Sequence, residues 1–154
     1  MVKFKSNSRL SSIKNLVILA QTDTTVGFAS LNYKKLANIK SRPTSKPFIK
    51  IYDSFSACDI RIPHTKRNFV RRSKQTTFII KDQAFRINPH AKNSQIQRDL
   101  TFYYSTSANE KDKKFNREFC ESKADIIIED KYGLNENSSS TLLKINNKKT
   151  LRVR

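Results

Sequence analysis

Glycine is almost missing from this chain: its 154 residues hold two, Gly27 and Gly133. Phosphate-cradling loops and dinucleotide-binding turns each need several glycines, so both are excluded. Histidine is as sparse, with His64 and His90 alone, and neither stands in a catalytic pattern. Two cysteines, Cys58 and Cys120, lack metal-type spacing with those histidines, so no zinc or other metal site is expected. Two reduced thiols are the plain reading, against a Cys58–His64 nucleophile pair. No apolar run approaches the ~20 residues of a membrane span. Leu16–Ala20 is also shorter than the ~7–15-residue core of a signal peptide. The expectation is a cytoplasmic protein with no membrane partner.

Acidic residues are scarce too. Thirteen Asp+Glu face 31 Lys+Arg, a formal net charge of +18. Such an excess attracts polyanions such as RNA, ribosomes or a phosphorylated substrate. A basic proteome rich in Lys and Asn would give the same excess, so charge alone names no partner. The length reads most simply as one domain, 1–154, able to bury a core.

Short apolar runs mark strands: Leu16–Ala20, Phe78–Ile80 and Ile126–Ile128. Residues 1–15 read as an arm or short helix, with Ser11-Ser12 as a cap. A turn is expected over Thr22–Gly27 and a helix over 30–39, ended by Pro43, because the residue before proline is pushed out of helical space. Residues 47–52 alternate as a half-buried strand does. The basic cluster Lys66-Arg67 and Arg71-Arg72 falls on a helix and its flank. Thr76–Ile80 and Ala84–Asn88 are strands around the turn 81–83, and 89–99 is a polar connection. Thr101–Ser105 is a strand, 110–122 a loop and short helix, and Ala124–Ile128 a strand. A hairpin around Asn146-Asn147 closes the chain. Strands with few helices indicate an α/β or α+β fold on a mixed sheet.

Three groups carry chemistry. Lys40 and Arg42, two residues apart, offer a point charge and a planar fork to one anion. They also suit a solvated helix end, where cations favour the dipole. Thr22, Asp23, Thr24 and Thr25 put polar groups at the end of a buried strand, where α/β sheets bind ligands. A self-satisfied turn is the other reading. Ser107 and Asn109 follow a strand and supply a hydroxyl and an amide, again as a binding pair or a turn.

In this order the pieces resemble the YrdC-like family of threonylcarbamoyl-AMP synthases. QTDTTVGF at 21–28 stands for P-T-(D/E)-T-x-Y-G-L, and IKSRPTSKPF at 39–48 for L-K-x-R-P with its following K-P. Thr77 in KQTTFII, Arg86 in AFRIN, TSAN at 106–109, ADIII at 124–128, STLL at 140–143 and Arg152 complete the match over nearly the whole chain. Departures are Gln21 for proline, Val26 for tyrosine, no W-P-G-P, Asn88 for proline, and no glycine after S-A-N. They admit a minimal active enzyme, a paralogue with another substrate, or a lapsed enzyme.

The resemblance implies a twisted, mixed open sheet with flanking helices around a basic concave cavity. It implies an L-threonylcarbamoyladenylate synthase, a nucleotidyltransferase. Its substrates would be L-threonine, bicarbonate and ATP, with Mg2+ on the nucleotide. The products would be threonylcarbamoyl-AMP and pyrophosphate, for t6A modification of tRNA by a downstream transferase. Lys40 and Arg42 would be catalytic and hold ATP phosphates. Thr77, Ser107, Asn109, Ser140 and Arg152 would complete the ATP site, and Thr22, Thr24 and Arg86 would bind threonine. The competing reading is a non-catalytic double-stranded RNA-, tRNA- or ribosome-binding protein, recognising shape and phosphate.

Overall fold

A computed structural model of the protein describes residues 2–4, 15–87 and 101–154. The strands are β1 (Val2–Phe4), β2 (Ile18–Gln21), β3 (Val26–Ser30), β4 (Ile49–Tyr52), β5 (Thr76–Ile80), β6 (Gln83–Ile87), β7 (Phe102–Ser107), β8 (Ile126–Ile128), β9 (Thr141–Ile145) and β10 (Thr150–Arg152). Among the described residues the helices are α1 (Tyr33–Ile39), α2 (Arg67–Arg72) and α3 (Arg117–Lys123), with a 3₁₀ turn, His64–Lys66, ahead of α2. Among the described residues the ten strands form one sheet, ordered β1-β8-β2-β3-β7-β4-β6-β5-β9-β10. Pairs β2–β8, β4–β6 and β5–β9 are parallel. The other pairs are antiparallel, so the sheet is mixed and open, as the sequence indicates.

Side-chain alternation gives the sheet two different faces. On one face Val17, Leu19, Phe28 and Ile127 pack with Leu36 and Ala37 of α1 and Cys120 of α3. Farther along the same face Tyr52, Phe78, Phe85 and Ile145 pack with Val70 of α2. The opposite face of the central strands carries Gly27, Ile49, Ile51, Ala84, Arg86, Tyr103, Ser105 and Ser107. Their paired registers put them side by side: Gly27 opposite Ser107, Ile49 opposite Ser105, Ile51 between Tyr103 and Arg86. Among the described residues no helix covers this stretch, which lines a hollow.

Local chemistry sets the element ends. Asn32 caps α1, its side chain accepting from the amides of Lys34 and Lys35 at 3.1 and 3.2 Å. The helix stops at Ser41, ahead of Pro43. Ser41 takes a left-handed φ of 47°, its amide donates to Asn38 O, and the Arg42 amide donates to Ala37 O. That paired closure satisfies the last carbonyls, so proline is not what ends the helix. The β5–β6 hairpin turns through Lys81 and Asp82, both at positive φ (47° and 64°), the twist a two-residue hairpin needs.

Several expectations are corrected. Residues 2–4 form a strand paired to β8 rather than an arm or helix. Gly27 lies within β3, not in a turn, because Val26 and Phe28 bury on the core side. The strand expected over Thr101–Ser105 instead runs Phe102–Ser107. The cap at Ser11-Ser12, Asn88 and the connection 89–99 lie outside the described residues.

Candidate functional site

The concave face forms a hollow of about 580 Å³. Its floor is the open face of β3, β4, β6 and β7, and its walls are the loops after β2, around 42–48, and before β9. Four cations line it (Arg42, Lys46, Arg86 and Arg154) against two carboxylates, Asp23 and Asp82, so it is basic. Ile49 and Ile51 give it an apolar floor, the reverse of a strand that sends apolar residues to the core and polar ones outward.

The loop after β2 is held by its own hydroxyls. Thr22 Oγ1 donates to Thr25 O at 2.6 Å and accepts from the Thr24 amide at 3.2 Å. Thr22 and Thr24 hydroxyls lie 3.1 Å apart. The self-satisfied turn is therefore real, and Thr22, Thr24 and Thr25 still line the hollow. Gly27 lets this loop sit close. A Cβ there would lie 3.1 Å from Thr106 O and 3.2 Å from Thr22 Cγ2.

Arg86 enters from β6 and is 6% exposed. Its guanidinium pairs with Asp23 and reaches Thr24 Oγ1 at 3.4 Å. Sequence reasoning reads Asp23 only as one of four loop polar groups; its pairing with Arg86 joins residues 63 apart and needs the sheet. Thr24, Asp23 and Arg86 thus present hydroxyl, anion and cation at one spot.

Lys40 is 8% exposed. Its ammonium donates to Asn109 O at 2.5 Å, Asn109 Oδ1 at 2.6 Å and Ser107 O at 3.2 Å. Ser107 Oγ donates to the same Oδ1 at 2.7 Å. Lys40 and the Ser-Ala-Asn turn are one cluster at the rim, with Ser107 lining the hollow. Burial holds the Lys40 pKa below its ordinary 10.5, and neighbouring Arg42 pushes the same way.

Lys40 and Arg42 do not face one anion side by side. The left-handed Ser41 between them sends their side chains to different partners. Arg42 lies with Cζ 4.5 Å from the Phe48 ring centroid and donates to Pro47 O at 2.6 Å and Lys46 O at 3.2 Å. It lines the hollow, whereas Lys40 is tucked behind the turn.

Thr77 has no exposed surface. Its hydroxyl lies 2.8 Å from that of Ser140, which does line the hollow, so Thr77 reaches the hollow only through Ser140. Arg152 falls outside. It pairs across with Leu143, which packs on the second core, so Arg152 stands on the core side of the sheet's edge. Arg154 lines the hollow instead, and Lys46 and Arg154 are wall cations that the candidate set lacks. The Lys-Pro at 46–47 was a signal for the first; nothing local singles out the second.

No protein-family model matches the chain, and no curated protein matches its sequence. Solved structures do match by shape. Sua5 of P. abyssi superposes with a TM-score of 0.72 at 17% identity, over 92% of this chain and 53% of Sua5. HypF, in a phosphate- and nucleotide-bound form, gives 0.73 at 13% identity, over all of this chain and 25% of HypF. MTH1692 from Methanobacterium thermoautotrophicum gives 0.64 at 15% identity, over 98% of this chain and 91% of that one. This is the YrdC-like fold: a mixed open sheet with helices on one face and a basic hollow on the other. The chain spans about half the length of the Sua5 it matches. A second P. abyssi Sua5 structure holds L-threonine.

Proposed function

We propose that the hollow binds L-threonine and ATP and that the protein is an L-threonylcarbamoyladenylate synthase. The observation that carries this reading is the meeting of two clusters distant in sequence. Asp23, Thr24 and Arg86 form a pocket suited to a zwitterionic, hydroxylated amino acid. Lys40, Ser107 and Asn109 form a rigid polar rim suited to phosphates. Chain 1–154 would act as one unit.

The threonine amine would attack the bicarbonate carbon, and a C–O bond would break to release water and leave a carbamate. A carbamate oxygen would then bond to the α-phosphorus as the bond to pyrophosphate breaks. Arg86 would orient the threonine carboxylate, exchanging part of its bond to Asp23. Arg42 and the Lys40-held rim would stabilise charge developing on phosphate oxygens. This is catalysis by positioning and fixed dipoles, with no protein nucleophile. Magnesium would arrive on the nucleotide, as substrate. Among the described residues no group of three or more His, Cys, Asp or Glu stands ready to hold a metal. The product would feed a downstream t6A transferase in the cytoplasm. No helix among the described residues is long and apolar enough to cross a membrane.

The test is pyrophosphate release from ATP by the folded protein. Release that requires both threonine and bicarbonate supports the reading; none, or release indifferent to threonine, rejects it. A second reading has its own observation. A groove beside the hollow, lined by Arg71, Arg72 and Lys74, favours a polyanion such as tRNA or double-stranded RNA. Binding by phosphates would weaken steeply with salt.

A further inference from the structure

We infer that Arg154, carried into the hollow by a bulge at the β9–β10 edge, is the guanidinium that grips the terminal phosphates of a polyphosphate ligand, a role Arg152 cannot take. The site rests on the functional reading above only for the identity of that ligand as ATP.

The backbone makes the exchange. Through the hairpin, Thr150 faces Ile145, Leu151 faces Lys144 and Arg152 faces Leu143. Continued regularly, Val153 would face Leu142 and Arg154 would turn back to the core side with Arg152. The register instead slips. The amides of Val153 and Arg154 both point at Leu142 O, at 2.8 and 3.4 Å, and the Leu142 amide donates to Arg154 O at 3.1 Å. Two residues facing one is a bulge, and it re-aims the side chain that follows. Leu142 lines the hollow, so Arg154 now does as well.

Of the other wall cations, Lys46 brings a single point charge without a fork. Arg42 commits one terminal nitrogen to Lys46 O and Pro47 O and lies against the Phe48 ring, and Arg86 spends both of its terminal nitrogens on Asp23 and Thr24. Lys40 is saturated by the Ser-Ala-Asn turn. Arg154 makes one long contact, 3.4 Å, to Ser140 O. Among the described residues it has no ion pair with a carboxylate. A phosphate needs donors that are not already engaged, and a guanidinium supplies two in parallel. Beside it the Ser140 hydroxyl is oriented by buried Thr77 at 2.8 Å, adding a fixed hydrogen-bonding group. Fork and hydroxyl together form a phosphate subsite across the hollow from Arg42.

The experiment measures binding of inorganic tripolyphosphate, with no threonine or bicarbonate, by calorimetry on the full chain. Wild type is compared with Arg154→Ala, Arg154→Lys and Arg152→Ala, each checked for an unchanged melting transition. Arg154→Ala is expected to weaken binding by about tenfold or more, the scale of a charge-assisted hydrogen-bond pair. Arg154→Lys should recover part of it, since the charge returns without the fork. Arg152→Ala should shift it by less than about twofold. Equal losses at 152 and 154, or none at 154 in folded protein, overturn the inference. Tripolyphosphate binding that depends on Arg154, in a protein showing no threonine-dependent pyrophosphate release, would sustain this subsite while removing the synthase reading.

Discussion

Lys40 and Asn109, separated by 69 positions, are joined twice: one ammonium holds both the main-chain carbonyl and the side-chain oxygen, at 2.5 and 2.6 Å. The bond ties the C-terminal end of α1 to the turn after β7. A lysine at a helix end thereby becomes the organiser of a turn 69 residues away.

Lys40→Ala is expected to damage stability and activity together. It leaves the carbonyls of Ser107 and Asn109 facing a void where a buried donor stood, at about 1–3 kcal/mol each in the worst case. A total loss of roughly 2–4 kcal/mol should lower the urea midpoint. Pyrophosphate release should fall on the order of 10²-fold in the fraction still folded. A variant of undiminished stability would mean the triple contact does not hold the turn.

Asp23→Ala should strip Arg86 of its carboxylate. The pair is 8% and 30% exposed at its two side chains, so the loss should be about 2 kcal/mol, below that of a fully buried pair. Adding Arg86→Ala should then cost less than Arg86→Ala alone, with a coupling of about 1 kcal/mol or more in a double-mutant cycle. Additive losses would show that the two act independently.

Gly27→Ala should disturb the hollow from beneath. The added methyl meets the carbonyl of Thr106, which belongs to the paired strand and cannot swing away. Overpacking of this kind costs about 1–3 kcal/mol. The easier relief is to push Thr22 outward, so the KM for threonine should rise more than that for ATP. Equal changes in both would place the strain elsewhere.

Acid should weaken a different cluster, on the other side of the sheet. Asp59 accepts from the Lys50 ammonium at 2.6 Å and from the Tyr52 hydroxyl. The Lys50 bond first, then the Tyr52 bond, hold the Asp59 carboxyl below its ordinary 3.8. A lowered folded value means the carboxylate stabilises the fold above the unfolded value, and that contribution fades as pH falls through the folded one. The difference in melting temperature between wild type and Asp59→Asn should therefore be steady near about pH 6 and vanish in strong acid. A difference that grows toward acid would reverse the assignment.

Much of the sheet was legible beforehand. Runs such as Thr76–Ile80 and Ile126–Ile128 declare strands by β-branched content, and the polar residues around 81–83 and 146–147 declare turns. β3 was not legible. Its five residues, VGFAS, hold a glycine and an alanine where strands favour branched side chains, and only the pairing with β2 and β7 makes them extended. In sequence the end of α1 reads at Pro43 because proline is the loudest local signal, while the left-handed Ser41 carries none.

The candidate site divides in the same way. Local chemistry marks Lys40, Arg42, Ser107, Asn109, Thr22 and Thr24, the family resemblance adds Arg86, and the shortage of glycine and histidine removes phosphate loops and common catalytic pairs. Composition and spacing are local properties, so they survive without coordinates. Which donors are already engaged, which face each side chain occupies, and whether Arg152 or Arg154 enters the hollow were decided by strand order and register. A slip of one residue reverses a strand's faces, and no short-range pattern in LRVR records that slip.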